Sequence, residues 1–517
     1  MINYFIKFIL IFLFAFTPIV FGAGDLWAFS VMELGILLMI ILWTIQKSVL
    51  PPQSAFPSCA KASEGERNPR PPKLSERRRP HSAISLNSEL RTPNSPFCFI
   101  LLFLFLLLVL FQMIPLPSGV VKIISPKTFA LRNSLTFDLS PLTFQLSFFP
   151  FATRIEFFKW FALSGFFLFL LNWRPSDRRD MHHLIPVVML VGIAESLYGM
   201  LEFFSGHRHI LHLDTSSIVS SVTGTFINRN YFAGYLLMVI PLSMGFLFSR
   251  EGFQKSRFRG WRYRLSSLDG KALLIAFGIV VMILALLFSA SRMGIMSLLL
   301  SFSLISLFYR DPRREKRFSK TSVLLFGLAL LWAAWIGLDA VISRFFSLSE
   351  GFEDRWKIWV STFQIFKDFP LFGSGLGTFA QIFPMYRSFH IHGMVTHAEN
   401  DFLQLASDVG IIGIGLLLIL FSILFYKGVS GIRSLSSREP ERYIGMGCLV
   451  GILALLFHSI VERNIQVPAN AFLFTFLLAT VLGITRARGN AIQTRGGDKP
   501  SRPREGDRSD RLNIPVT

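Results

Sequence analysis

Long apolar runs alternate with polar connections along most of the chain, and their length is that of membrane-crossing helices rather than of strands. Crossing a bilayer takes about 20 mainly apolar residues, somewhat fewer where flanking side chains snorkel. Twelve runs qualify: Phe5–Phe21, Trp27–Ile45, Phe97–Ile114, Phe157–Trp173, Leu184–Phe203, Tyr231–Phe248, Ala272–Phe288, Met293–Phe308, Ser322–Ile342, Ile411–Tyr426, Met446–Ile460 and Ala471–Ile484. The pattern predicts an all-α, polytopic membrane protein of about 12 transmembrane helices. The largest structured interruption is Val341–Asp408, where Trp356, Trp359, Phe363 and Phe366 recur at helical spacing and predict an amphipathic helix lying along the membrane interface. Pro370 and the glycines after it mark its end.

Composition agrees with the pattern. Apolar residues make up 52% of the 517 positions, 56 of them Phe, and mean hydropathy is +0.51, which excludes a soluble protein. The net charge of +20 would point to nucleic acid in a soluble chain, but here its placement matters more. With the N-terminus in the cytoplasm, 38 of the 52 lysines and arginines fall on connections of that same side, nine of them between Lys47 and Arg91 and eight between Arg486 and Arg511. Such asymmetry follows the positive-inside rule and argues against nucleic-acid binding. It predicts a multi-pass protein of the bacterial inner membrane with both termini cytoplasmic and the Val341–Asp408 loop periplasmic.

The organisation expected is therefore two transmembrane helices in 1–50, a disordered basic cytoplasmic loop in 51–96, helices three to nine in 97–340, a periplasmic catalytic loop in 341–408, helices ten to twelve in 409–486, and a disordered basic cytoplasmic tail in 487–517. The loop and tail are assigned disorder because they are rich in Pro, Ser, Arg and Glu without apolar periodicity. The first apolar run lacks a small-x-small cleavage site and is read as a retained helix. Cys59, Cys98 and Cys448 are too few and too scattered for a disulfide framework or a metal site.

Several polar groups sit where a membrane protein would not place them without reason. Asn228, Arg229 and Asn230 open the sixth predicted span; a helix N-cap with close packing explains them, as does a polar ligand at the helix mouth. Ser289-Ala290-Ser291-Arg292 makes a tight outer turn, with Arg292 either a snorkelling anchor or a guanidinium fork for phosphate. Arg355 lies among Glu353, Asp354 and Lys357, so a surface ion pair accounts for it equally well. The Gly373-x-Gly375-x-Gly377 spacing lacks a preceding strand and reads as a turn with positive φ rather than a dinucleotide site. His390, His392, His397 and Glu399 match no ligand spacing, so no metal is expected, whereas a general base needs only His397 or Glu399 and a neighbour to orient it.

Taken together, Gly224–Gly234, Ser289–Arg292, the Arg355-Trp356-x-x-Trp359 helix leading to Phe369–Gly377, His397–Gln404 with Gly410-Ile411-Ile412-Gly413, and the late segment His458–Ala471 resemble the O-antigen ligase and polymerase family. The resemblance implies a glycosyltransferase that moves a glycan from an undecaprenyl-diphosphate carrier to an acceptor hydroxyl on a glycan or on lipid A-core, at the periplasmic face and without cofactors. It implies Arg292 and Arg355 on the diphosphate, Glu399 or His397 as base, and Asn228, Arg229, Asn230 and Asn400 lining the site among membrane lipids. One position departs from the pattern: where ligases carry a catalytic His followed by an Asn-like residue ten positions before Gly-x-x-Gly, this chain has Glu399 followed by Asn400. A non-catalytic transporter or binder of lipid-linked glycans is the alternative. It would place polar residues deep in several spans, whereas here they gather at the outer ends.

Overall fold

A computed structural model describes residues 2–49, 96–135, 142–173, 179–206, 209–211, 213–214, 221–250, 269–308, 327, 331, 349–390, 393–436 and 439–497. Among these, nine helices are long and apolar enough to cross a membrane. They comprise α1 (Ile2–Ile19), α2 (Leu26–Val49), α6 (Pro150–Asn172), α7 (Arg179–Ser205), α8 (Arg229–Ser249), α9 (Gly270–Phe288), α13 (Asp401–Ser434), α14 (Pro440–His458) and α15 (Pro468–Gly497). Two further expected spans form apolar helices whose apolar stretches are shorter, α3 (Pro96–Met113) and α10 (Arg292–Phe308). Apart from Gly327 and Leu331, the expected span Ser322–Ile342 lies outside the described residues, as do the segments 51–95 and 498–517. Cys98 and Cys448 are buried free thiols.

α8 is the centre of the bundle. Its residues are buried nearly all the way round, because apolar side chains on every face leave no polar stripe to turn towards solvent. It packs against α14 along its length, and also against α7, α9 and α10. The outer helices instead present Phe8, Leu34, Ile41, Phe103 and Leu274 outward, a belt of apolar surface that is stable only against hydrocarbon.

Two connections remote in sequence build one cap over one end of the bundle. The first runs between α3 and α6 and contains the two-residue strands β1 (Leu116–Pro117) and β2 (Thr143–Phe144), paired antiparallel, and helices α4 (Ser118–Ile124) and α5 (Pro126–Leu135). The second contains α11 (Ser349–Asp368) and the short α12 (Phe379–Ile382). Ile358, Ile365, Phe369, Phe379 and Phe383 from the second pack with Leu131 and Phe148 from the first. Lys127 Nζ pairs with Asp368 at 2.9 Å, and Arg132 donates to the carbonyl of Ser147 at 2.6 Å. The amphipathic helix expected in this region is α11: Ile358, Thr362 and Ile365 face inward, whereas Trp356 and Phe363 stay exposed on the opposite side.

A candidate acid–base cluster beneath the cap

The Gly-rich turn is a structural joint. Gly373, Gly375 and Gly377 all have positive φ. Every backbone N–H from Gly373 to Thr378 is spent inside the protein: on Phe369 O, Ser407 O, Asp408 O, Gln112 Oε1, Asp408 Oδ2 and Gly375 O in turn. No amide is left to cradle a phosphate, so the turn reading stands. Gln112, buried on α3, also donates to Phe372 O at 2.6 Å and Asp408 O at 2.9 Å, tying the turn to α13. α13 itself is broken at Gly410, whose φ of 65° and ψ of −173° let a short polar helix, Asp401–Val409, meet the long apolar one at an angle.

The joint places the start of α13 beside the α14–α15 connection. Asp401 accepts from the backbone N–H groups of Asn464 and Ile465, both at 2.7 Å, and the Asp401 N–H donates to Ser459 O. Gln404 accepts from Ala398 N at 2.9 Å and donates to Gln466 Oε1 at 3.0 Å. The peptide carrying His397 and Glu399 is thus held against the loop carrying Glu462 and Arg463. Glu399 sits at φ 51°, a conformation that costs a non-glycine residue about 1–3 kcal/mol and persists only where the surroundings impose it.

Six ionisable side chains meet there. Arg355, from α11, reaches down to Glu462 Oε1 at 2.5 Å and to Val461 O at 3.3 Å; its partner is therefore this distant acid, beyond the carboxylates next to it in sequence. Glu462 is 3% exposed, its second oxygen has no donor facing it among the described residues, and its carboxyl is within hydrogen-bonding reach of Glu399. Burial pushes Glu462 up to about 8, with Arg355 opposing and the Glu399 carboxyl adding to the rise. Arg463 donates to His397 Nε2 and also contacts the Tyr231 hydroxyl on α8. Burial, then the charges of Arg463 and Lys159, push His397 down to about 2, so its ring is neutral. Because a guanidinium only donates, Nε2 must accept and Nδ1 must carry the proton; the imidazole has no lone pair left to take one.

Of the expected residues, Arg355, His397 and Glu399 come together here. Arg292 opens α10 one residue after Ser291, whose hydroxyl is 3.3 Å from His458 Nε2; His458 in turn contacts Asn464 at 3.2 Å, so Arg292 lies at the same end of the bundle. The described hydrogen bonds and ion pairs of the cluster do not extend to it. Asn228 and Asn400 cap helices: the Asn228 oxygen accepts from Asn230 N at 2.8 Å and the Asn400 oxygen from Leu403 N at 3.0 Å. Asn230 is buried beside Tyr231, and Arg229 begins α8 half-buried. His390 is exposed, and His392 lies outside the described residues. With Arg463 at Nε2, His397 faces a cation, which is no environment for a metal ion.

Sequence reading gave no role to Glu462, Arg463, Tyr231 or Lys159. The first two stand in the late segment that carried part of the resemblance. Lys159 was hidden inside an expected span, although a charge in a span is itself a signal. It is buried on α6, 2.6 Å from Glu156 and 3.3 Å from Gln466 O. Lys159 and Gln466 also stand at one end of an apolar cleft of about 230 Å³ between α3, α6, α13 and α15, lined by Leu102, Trp160, Leu417 and Phe474 among others.

Residues 277–418 match the family model described as O-antigen ligase. No curated protein matches the chain. The matched stretch, 142 of the 517 residues, supplies Arg292, Arg355, His397 and Glu399, whereas Glu462 and Arg463 follow it; over that stretch the chain is similar to O-antigen ligases.

Proposed function

We propose that the protein transfers a glycan from a polyprenyl-diphosphate carrier to an acceptor hydroxyl at the extracytoplasmic face of the bacterial inner membrane, as a ligase or polymerase of surface polysaccharide. The observation that carries this reading is the apolar cleft ending at Lys159 and Gln466, two hydrogen bonds from the peptide of His397 and Glu399. A substrate with a long hydrocarbon chain and an anionic head needs that sequence of surroundings. The chain lies in the cleft and the diphosphate emerges among Lys159, Arg355 and Arg292. Arg355 has five donors and uses only part of them on Glu462 and Val461, and its side chain is 28% exposed. Glu399 is the base, since the His397 lone pair is occupied. It takes the proton of the acceptor hydroxyl as that oxygen attacks the anomeric carbon; the bond from that carbon to the phosphate oxygen breaks and its electron pair leaves on the diphosphate. Asn228 and Asn400 shape the site as helix caps, with Arg229 and Asn230 at its α8 side.

Proteoliposomes holding the purified chain, polyprenyl-diphosphate-linked oligosaccharide and lipid A-core test the reading. Release of polyprenyl diphosphate together with a longer glycan identifies a polymerase, and with glycosylated lipid A-core a ligase. Donor that crosses the bilayer intact, with no transfer, would overturn the enzyme in favour of a transporter.

A further inference from the structure

The resemblance expects an imidazole where this chain has Glu399, and a lone carboxylate beside an incoming diphosphate is a poor substitute because it adds negative charge where the leaving group already carries it. The structure supplies a second acid at that point. Glu462 is buried under the cap, its Oε1 is held by Arg355 at 2.5 Å, and its Oε2 has no donor among the described residues, while the Glu399 carboxyl lies within hydrogen-bonding reach. Two carboxylates cannot approach in a buried site unless a proton stands between them. Glu399 is meanwhile held in a left-handed backbone conformation, at φ 51°. The charged and titratable groups around the pair are Arg355 from α11, Arg463 on the same loop, Tyr231 from α8, and His397.

We propose that Glu462 is a positioning residue: it and Glu399 share one proton, which Glu462 donates to the Glu399 carboxylate, so that Glu399 faces the acceptor hydroxyl as a base oriented through Glu462 and Arg355. The pair together carries a single negative charge. When the acceptor is deprotonated its proton passes to the outer oxygen of Glu399, the pair becomes neutral as the diphosphate departs, and the proton is then released to water. Glu462 does not touch the substrate. This assignment rests on the transferase reading for its role in the reaction, but the shared proton itself does not.

The test has two arms on the full chain in lipid. In infrared difference spectra at pH 7, wild type minus E462Q shows one carboxylic-acid C=O stretch, wild type minus E399Q shows the same band, and both vanish as the pH rises past about 8. A band absent from the E462Q difference, or present there and absent from the E399Q difference, overturns the shared proton. Thermal unfolding checks that both variants are folded; should E462Q not fold, the E399Q difference and the pH at which the wild-type band is lost decide alone. In the transfer assay E399Q loses on the order of 100-fold or more in rate. Wild type slows above about pH 8, where the pair acquires its second charge, and E462Q, whose amide still accepts from Arg355 and donates to Glu399, is several-fold slower but loses this alkaline decline. An unchanged alkaline limb in E462Q overturns the positioning role, because a merely structural residue would alter rate or stability without moving the profile. A wild type with the infrared band but no transfer refutes the enzyme reading and leaves the proton pair standing.

Discussion

Gly410 is the residue on which the whole arrangement turns. Its φ of 65° and ψ of −173° lie in a region open essentially to glycine alone, so Gly410→Ala carries a conformational cost of about 1–3 kcal/mol. A Cβ at this position would collide with the Leu371 carbonyl and stand 2.7 Å from Gly373 N, both backbone, so no side chain can swing aside. To make room, the turn must part from the start of the long helix, which breaks Ile411 N to Pro370 O at 2.8 Å and Ile412 N to Leu371 O at 3.3 Å. With each bond contributing about 0.5–1.5 kcal/mol, the total is about 2–6 kcal/mol. At about 2 °C per kcal/mol for a chain of this size, the melting temperature of purified protein should fall roughly 4–12 °C. Hydrogen exchange should quicken at 371–377 and 402–412. Gly415→Ala is the control: it lies in the same helix, its Cβ would meet nothing within 4 Å, and alanine favours the helix by about 1 kcal/mol, so it should be neutral or stabilising. A Gly410→Ala protein that melts within about 2 °C of wild type, with unchanged exchange, would refute the joint as described.

Three further expectations follow from the cluster. Arg355→Ala leaves the buried Glu462 beside Glu399 without its cation and should destabilise by about 1–3 kcal/mol, a value held below the fully buried range because Arg355 is partly exposed; Glu462→Ala on top of it should cost little more, and strict additivity in the double-mutant cycle would show that the pair is not coupled. Lys159→Met should raise the KM for the lipid-linked donor about tenfold, equivalent to about 1.4 kcal/mol, with a smaller effect on kcat, since the cation stands at the cleft's end and not at the base; an unchanged KM would remove it from donor binding. His397 is neutral in the fold down to about pH 2, whereas in the unfolded chain it binds a proton below about 6.5, so stability should be full above pH 6.5 and fall as pH drops below it, by up to about 1.4 kcal/mol per pH unit. Melting temperatures of wild type and His397→Gln across pH 7 to 4 measure this, and parallel curves would exclude it.

The apolar helices were legible from the sequence because length and composition alone define them, and the three glycines announced a turn. Unreadable were the partners that fold the polar residues together. Arg355 has acids on either side of it in sequence, yet its mate is Glu462, 107 positions on, and no local pattern distinguishes the two. The Pro115–Glu156 connection and α11 gave no sign that they pack as one cap, because an apolar residue such as Phe148 or Leu131 does not reveal which distant surface covers it. Asn228 and Asn400 each have the side-chain oxygen committed to a helix N-terminus, the capping role that the sequence already offered for Asn228 and did not announce for Asn400.

The same geometry says what an imidazole would do at position 399. Histidine tolerates a left-handed backbone better than most residues, so Glu399→His is compatible with the φ of 51° observed there. Its ring would meet Glu462, which no longer faces a second acid and, with Arg355 still bound, becomes a plain carboxylate able to orient an N–H. The result is an acid–imidazole pair in place of an acid–acid pair. Such a base works only when neutral, and the neighbouring carboxylate holds its proton more tightly, so the acid limb of the rate profile should move up towards pH 7 while the alkaline decline of wild type disappears. Glu399→His should therefore keep far more activity than Glu399→Gln, at a higher optimum pH. If Glu399→His is no more active than Glu399→Gln, an imidazole facing Glu462 does not replace the carboxylate; a Glu399→Gln protein that keeps the wild-type rate would show that position 399 does not hold the base, and that the proton leaves the acceptor by another route.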